Sequence, residues 1–236
     1  MANILIFGGS RGLGAALSWG VPARGDAVWL VSRNRPDLDD RDGVRRFWIE
    51  ADLSTRSAAS LVAAAVRHTP LDVVIYNVGI WEHNAFRDSY DFIAVDDAET
   101  ERIIAINLTS AITCIRALVP QLRKSAAAKL IFIGSTSGLD NSSGREVAYA
   151  ASKFGLRGIT HALRENLRAD GIAVTCLNPG NIGTITVERG VVSSIPHEDR
   201  VMIPPQDLVA LVKSVIGLSN ASCVKEIDVM AMTDRV

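Results

Sequence analysis

The sequence predicts an α/β fold, a Rossmann-like doubly wound parallel sheet of about seven strands with helices on both faces. Three observations carry this. Short β-rich apolar runs alternate with Ala- and Leu-rich stretches along the 236 residues, the pattern of repeated strand–helix–strand units. Most strand candidates are apolar without alternation, as expected where helices cover both sheet faces. No composition break marks a linker, so residues 1–236 read as a single domain.

The strand candidates are Asn3–Phe7, Ala27–Val31, Phe47–Glu50, Asp72–Tyr76, Lys129–Ile133, Ala173–Leu177 and Val224–Val229. The helix candidates between them are Leu13–Gly20, Ser57–Arg67, Ala98–Lys124, Ala148–Asp170 and Pro205–Leu218. Pro22, just after Gly20, is expected to shorten or kink the first helix. The stretch Gly183–Pro205 shows little periodicity and is long for a connection, which marks it as a substrate-loop lid. Its Val187, Val191, Val192 and Ile195 suggest an apolar lid with Glu188, Arg189 and Glu198 interspersed.

Composition narrows the function classes. Hydrophobic residues make up 48%, too many for disorder, and 25 Lys+Arg nearly cancel 26 Asp+Glu. Without a long basic run, nucleic acid and anionic membrane are not indicated as partners. The apolar runs are too short to span a bilayer, and MANILIFGG carries no charged leader, so the expected location is cytoplasmic. Cys114, Cys176 and Cys223 form no CxxC pair, and the four histidines show no metal-ligand spacing. The thiols are expected to be buried and reduced, and no metal site is expected.

The stretch FGGSRGLG, Phe7 to Gly14, follows the first strand and opens the first helix. In that context helix N–H groups and the helix dipole fit a pyrophosphate. Gly8 allows the tight turn, Gly12 lets backbone approach phosphate, and Gly14 allows helix and strand to pack closely. Ser10 and Leu13 lie in the same loop. The spacing is G-x-x-x-G-x-G, and no Lys-Ser/Thr pair follows, so this is no Walker loop. A plain structural turn is the alternative. At the end of the second strand Ser32 takes the slot where NAD-preferring folds place an acid, and Arg33 follows. Arg33 and Arg11 would pair with a 2'-phosphate through charge-assisted bonds, which favours NADP over NAD.

Tyr149 and Lys153, in YAASK, share one helix face at i,i+4. A neighbouring ammonium is expected to lower the phenol's pKa toward neutrality and so make it a usable acid or base. Upstream, IFIGSTSG places the Ser135 hydroxyl at the end of the fifth strand.

With these motifs in order, the chain resembles the short-chain dehydrogenase/reductase family, in its compact single-domain branch. Gly8-x-x-x-Gly12-x-Gly14 looks like the family's cofactor loop, and Asp52-Leu53 like the pair lining the adenine. Asn77-Val78-Gly79 matches the end of the Asn-Asn-Ala-Gly motif. Asn107, Ser135, Tyr149 and Lys153 look like the catalytic tetrad, and Asn178 to Thr184 is similar to the segment beside the nicotinamide. The departures are Phe7 before the first glycine, Tyr76 and Val78 within the asparagine motif, and a tail without the Gly-Gly ending. Ser135 stands fourteen residues before Tyr149, which leaves Thr136 as a rival for the serine role.

The resemblance implies a hydride passed between nicotinamide and a carbonyl or alcohol, with NADPH the cofactor that Arg11 and Arg33 favour. Tyr149 would be the acid/base, Ser135 would orient the reacting oxygen, and Lys153 would lower the tyrosine pKa and hold the ribose. Asn107 would hold a water in a proton relay. Tyr149, Lys153, Pro179, Ile182 and Thr184 would surround the nicotinamide end, with Thr184 and the Ile182 backbone fixing its carboxamide. Simpler roles exist for several of these: a local bond in a helix for Asn107, an N-cap for Asp52, turn chemistry for Ser135. Trp81, His83 and residues 140–147 are candidates to approach the substrate. The partners expected are a small carbonyl or alcohol and further copies of the chain, as a homodimer or homotetramer through the long helices. The alternatives are a dinucleotide-sensing regulatory protein without turnover, and an epimerase or dehydratase of the same fold.

Overall fold

The fold was analysed in a computed structural model. It describes residues 1–140, 142, 144–183, 185–188, 191–194 and 201–233, with backbone alone for 186–188 and 191–194. Seven strands form one parallel sheet: β1 (Asn3–Phe7), β2 (Ala27–Ser32), β3 (Arg45–Glu50), β4 (Val73–Tyr76), β5 (Lys129–Ile133), β6 (Ala173–Pro179) and, last in the chain, β9 (Glu226–Val229). Their order across the sheet is β3-β2-β1-β4-β5-β6-β9. The chain runs outward from β1 to β3, then returns to the other side of β1 as β4. That reversal opens a crevice at the carboxyl ends of β1 and β4, the place where such sheets bind ligands.

The strands are apolar throughout because alternate residues feed two cores. From β1, Leu5 and Phe7 join one cluster, and Ile4 and Ile6 join the other. On the first face α2 (Ala58–Ala65), α4 (Ser110–Leu122) and α5 (Val147–Asn166) contribute Val62, Ile115, Leu118 and Leu156. On the second face α1 (Gly12–Gly20) and α6 (Pro205–Gly217) contribute Leu13, Leu17, Leu208 and Val212. α1 stops just before Pro22, as its ring requires.

Three elements differ from the sequence expectation. The predicted helix Ala98–Lys124 is α3 (Asp97–Ile104) and α4 joined by a π-helical turn at Ala105–Thr109. This continuous run of 26 residues is long and apolar enough to cross a membrane, contrary to the reading of the apolar runs as too short. Ile103, Ala111, Ile115, Leu118 and Leu122 are buried within it, the packing of a core helix. The stretch Gly183–Pro205, read as irregular, contains an antiparallel pair of strands, β7 (Ile185–Glu188) and β8 (Val191–Ser194). Its ends are drawn together where Ile182 bridges Ile203 and the Gly183 amide donates to the Ile203 carbonyl at 2.9 Å. Cys114 and Cys176 are buried, but Cys223 is exposed, because it precedes the edge strand β9.

Candidate active site

The carboxyl ends of β1, β4 and β5 open into a cavity of about 530 Å³. At one end lies the glycine loop. Gly8 and Gly12 adopt φ values of +77° and +55°, open to glycine at little cost. Gly14 sits against β1, where an added Cβ would stand 1.9 Å from the Gly8 carbonyl oxygen. Gly14 is therefore behind the cavity wall, while Gly8, Ser10, Arg11, Gly12 and Leu13 line it. Arg11 is the N-cap of α1, in extended backbone, and its side chain makes no cap bond. The first-turn amides are thus left for an anion. A Cβ at Gly12 would meet nothing within 4 Å, so the loop faces open space. These features fit the pyrophosphate of a dinucleotide.

Arg33, Asp52, Leu53, Asn77, Val78 and Gly79 continue the same wall. The Ser32 hydroxyl donates to the Asn34 carbonyl at 2.7 Å, and the Trp48 indole donates to Ser32. Asp52 does not cap α2, whose N-cap is Ser57. It accepts instead from the Ser54 amide and hydroxyl, at 2.9 and 2.8 Å. These bonds hold its carboxyl below the usual range, with Arg33 adding to the effect.

At the other end of the cavity Ser135, Tyr149 and Lys153 come together with Pro179 and Ile182. Ser135 leaves the end of β5, and its Oγ accepts from the Ser137 amide at 3.1 Å. That turn bond occupies a lone pair and leaves the hydroxyl proton to donate. Thr136 does not line this cavity; it starts the short helical turn and faces a separate pocket with Arg145 and Asn181. Lys153 is buried, and its Nζ donates to the Ile133 carbonyl at 3.1 Å and lies 5.6 Å from the centre of the Tyr149 ring. Burial draws its ammonium down to about 8.

Tyr149 departs from expectation. Burial raises its pKa, the Ser135 hydroxyl opposes that, and Glu146 and Glu82 add to the rise. Desolvation of the phenol is the largest cause, so the net shift is upward and not the lowering expected from Lys153.

Asn107 lies in the π-helical turn, buried behind the cavity. Its side chain accepts from the Ile80 amide at 2.9 Å and donates to the Ile80 carbonyl and the Ser152 hydroxyl, at 2.8 and 2.9 Å. These bonds tie α5 to the loop after β4 and fix the π-helical turn beside the cavity. Thr184 lies outside the described residues, as do Arg189, Ile195 and Glu198; of Val187, Glu188, Val191 and Val192 only the backbone is described.

Sequence reasoning missed Glu82, a buried carboxylate whose Oε1 accepts from the amides of Ala148 and Tyr149, at 2.8 and 3.3 Å. It holds the first turn of the helix that carries Tyr149, from 67 residues away. Two departures from the family pattern prove to be one unit. Phe7 packs against Tyr76 at 5.1 Å, and Tyr76 against Phe132 at 5.9 Å. The Tyr76 hydroxyl donates to the Ile106 carbonyl at 3.1 Å, so this aromatic stack anchors the π-helical turn next to Asn107.

Comparisons with known proteins agree with this geometry. The profile of the family described as short chain dehydrogenase matches residues 2–190. A rhamnolipids biosynthesis 3-oxoacyl-[acyl-carrier-protein] reductase of Pseudomonas aeruginosa is 28% identical, the match covering 92% of this chain and 90% of the relative. A 3-oxoacyl-[acyl-carrier-protein] reductase of Aggregatibacter actinomycetemcomitans is 30% identical over 80% of this chain and 79% of its own length. Among solved structures, an alcohol dehydrogenase of the archaeon Thermococcus sibiricus, complexed with 5-hydroxy-NADP, superposes with a TM-score of 0.83. It is 19% identical, covers 100% of this chain and 99% of its own, and speaks for the fold alone. An NADP complex of the Pseudomonas aeruginosa protein RhlG gives 0.78 at 25% identity, over 98% and 95%. With the seven-stranded sheet, the glycine loop and a family match over most of its length, the chain belongs to the short-chain dehydrogenase family of oxidoreductases.

Proposed function

We propose that this oxidoreductase is an NADP(H)-dependent reductase of ketones or aldehydes in which Tyr149 donates the proton. The observation that carries the reading is the grouping of Ser135, Tyr149 and Lys153 in a cavity continuous with the glycine loop and Arg33. When bound, the nicotinamide supplies the hydride to the carbonyl carbon. Gly8, Ser10, Arg11, Gly12 and Leu13 would hold its phosphates, Asp52 and Leu53 its adenine, and Asn77, Val78 and Gly79 the stretch between. Lys153, Tyr149, Pro179, Ile182 and Thr184 would hold the nicotinamide end.

The chain's own residues supply the rest. The Ser135 hydroxyl donates to the carbonyl oxygen and fixes it beside the phenol. Tyr149 gives its proton to that oxygen as negative charge develops there. Burial keeps the phenol above its ordinary pKa, so at neutral pH it is protonated, the form that reduction consumes. The relatives named as 3-oxoacyl reductases support the same direction.

The preference for NADP rests on Arg11 and Arg33, both exposed on the cavity wall, and on Ser32 in the slot an acid would take. The reading also includes a homodimer or homotetramer through α4 and α5, supported by Ile112 and Phe154, which these helices leave exposed.

Turnover of a panel of ketones, aldehydes and quinones tests the activity. The wild type reduces some of them with NADPH, and Tyr149→Phe still binds NADPH but loses about 10²–10⁴-fold in kcat. Wild-type rates from Tyr149→Phe, or tight NADPH binding without turnover by the wild type, overturn the mechanism. NADPH binds at least about tenfold more tightly than NADH, a difference of ~1.4 kcal/mol, and Arg33→Ala erodes this. Equal wild-type affinities overturn the preference.

A further inference from the structure

Beside Tyr149 the loop after β4 presents two aromatic rings that nothing in the cofactor reading uses. Trp81 and Phe86 are 53% and 57% exposed. Their ring centres lie 5.8 Å apart, and 6.2 and 5.6 Å from that of Tyr149. Each meets the Tyr149 ring edge-on, at 89° and 88°. The three rings therefore form one cluster, in which Trp81 lines the main cavity and Phe86 lines the neighbouring pocket that Thr136 also faces.

The cluster is held in place. Phe86 has a φ of +62°, a conformation a bulky side chain rarely adopts. The surrounding bonds impose it. The Phe86 amide donates to Glu146 Oε1 at 2.8 Å, and Arg145 donates to the Arg87 carbonyl at 3.0 Å. The Val147 amide donates to the Tyr90 hydroxyl at 3.1 Å, and Glu82 holds the amides of Ala148 and Tyr149. Every tie joins this loop to the start of α5, so the rings keep their register with Tyr149. Large rings left half in water by a pinned loop, beside a catalytic group, are preorganised for a ligand.

Resting on the reductase reading above, we propose that Trp81 and Phe86 form the subsite for the substituent of the substrate carbonyl, and that this substituent is a flat aromatic ring. With the carbonyl oxygen on Tyr149 and Ser135, the group flanking the carbonyl meets the Trp81 and Phe86 rings. A planar ring gains offset-stacked and edge-to-face contact with them, which a saturated ring of equal size does not. The substrate class is an aryl ketone or aldehyde.

Acetophenone and cyclohexyl methyl ketone test this at matched size. The wild type prefers acetophenone by about tenfold or more in kcat/KM, ~1.4 kcal/mol, and the ratio falls to about threefold or less when the rings are lost. Trp81→Leu and Phe86→Leu, singly and together, keep apolar bulk and remove the rings; the ratio within each variant is the readout. As a second measurement, benzamide binds the wild type more tightly than cyclohexanecarboxamide by about fivefold, read by calorimetry. Equal use of the two ketones, or a ratio undiminished in the double variant, overturns the ring subsite and leaves the reductase reading intact. No turnover of any carbonyl, with benzamide still preferred, overturns the reductase reading and supports the subsite. No turnover and no preference between the amides overturns both.

Discussion

Lys153 shows how one residue sets function against stability. Its Nζ is buried, bonded to the Ile133 carbonyl, and its pKa is drawn from 10.5 to about 8. Between those values the unfolded chain binds a proton that the folded chain does not, so stability rises with pH across that window. The full contribution is present above 10.5 and is lost as pH falls through about 8. Holding the charge in the folded protein at pH 7 therefore costs about 3 kcal/mol. Lys153→Met removes that cost and leaves the Ile133 carbonyl without its donor, worth about 1 kcal/mol in return. The variant melts about 4–8 °C above the wild type at pH 7 and loses turnover. The gap in calorimetric Tm narrows as pH rises from 8 to 10.5; a gap independent of pH would show that the lysine charge is not its cause. The Tyr149–Lys153 pairing was legible because i,i+4 spacing is local. The direction of the Tyr149 pKa was not, because it depends on how deeply the tertiary structure buries the phenol.

The same division between local and distant causes holds for α5. Its N-cap, Glu146, makes no side-chain bond to the helix's own amides. Glu82 does that work from the loop after β4. A carboxylate at a helix N-terminus also complements the dipole. Glu82→Ala strips acceptors from two buried amides and lowers stability by about 1–3 kcal/mol, while Glu82→Gln, which keeps a carbonyl acceptor, loses less. Urea unfolding of the two variants measures this, and equal losses would assign the effect to the charge instead of the acceptor. No sequence signal links residues 82 and 148, since their meeting depends on the crossing from β4 to α5. The strands and most helix spans were legible because apolar runs and periodicity are written locally. The π-helical turn was not, because it arises where Tyr76, anchored by Phe7 and Phe132, bonds the Ile106 carbonyl. The β7–β8 pair escaped for a related reason: Ile182 and Ile203, a long stretch apart, close its base.

Across the whole molecule, the sheet uses two helical layers, and one of them has apolar surface to spare. α1 and α6 enclose the second core. On the first face α4 and α5 cover the sheet yet still expose Ile112 at 48% and Phe154 at 42%. α5 crosses the chain just before α4, since an added Cβ on Gly155 would come within 2.8 Å of the Leu108 side chain. Phe154 precedes that crossing by one residue, and Ile112 follows Leu108 by one helical turn. α5 has 20 residues, a length of about 30 Å, so two copies laid across this pair of helices would have room for the ~1,200–2,000 Å² that a stable interface buries. A charge at its centre would then be desolvated without a partner, whereas the same charge on a free surface would be harmless. Wild-type protein at micromolar concentration is expected to sediment as a dimer or tetramer. Ile112→Glu with Phe154→Glu is expected to sediment as a monomer with unchanged circular dichroism. A monomeric wild type, or an assembly that survives both charges, would place any interface elsewhere.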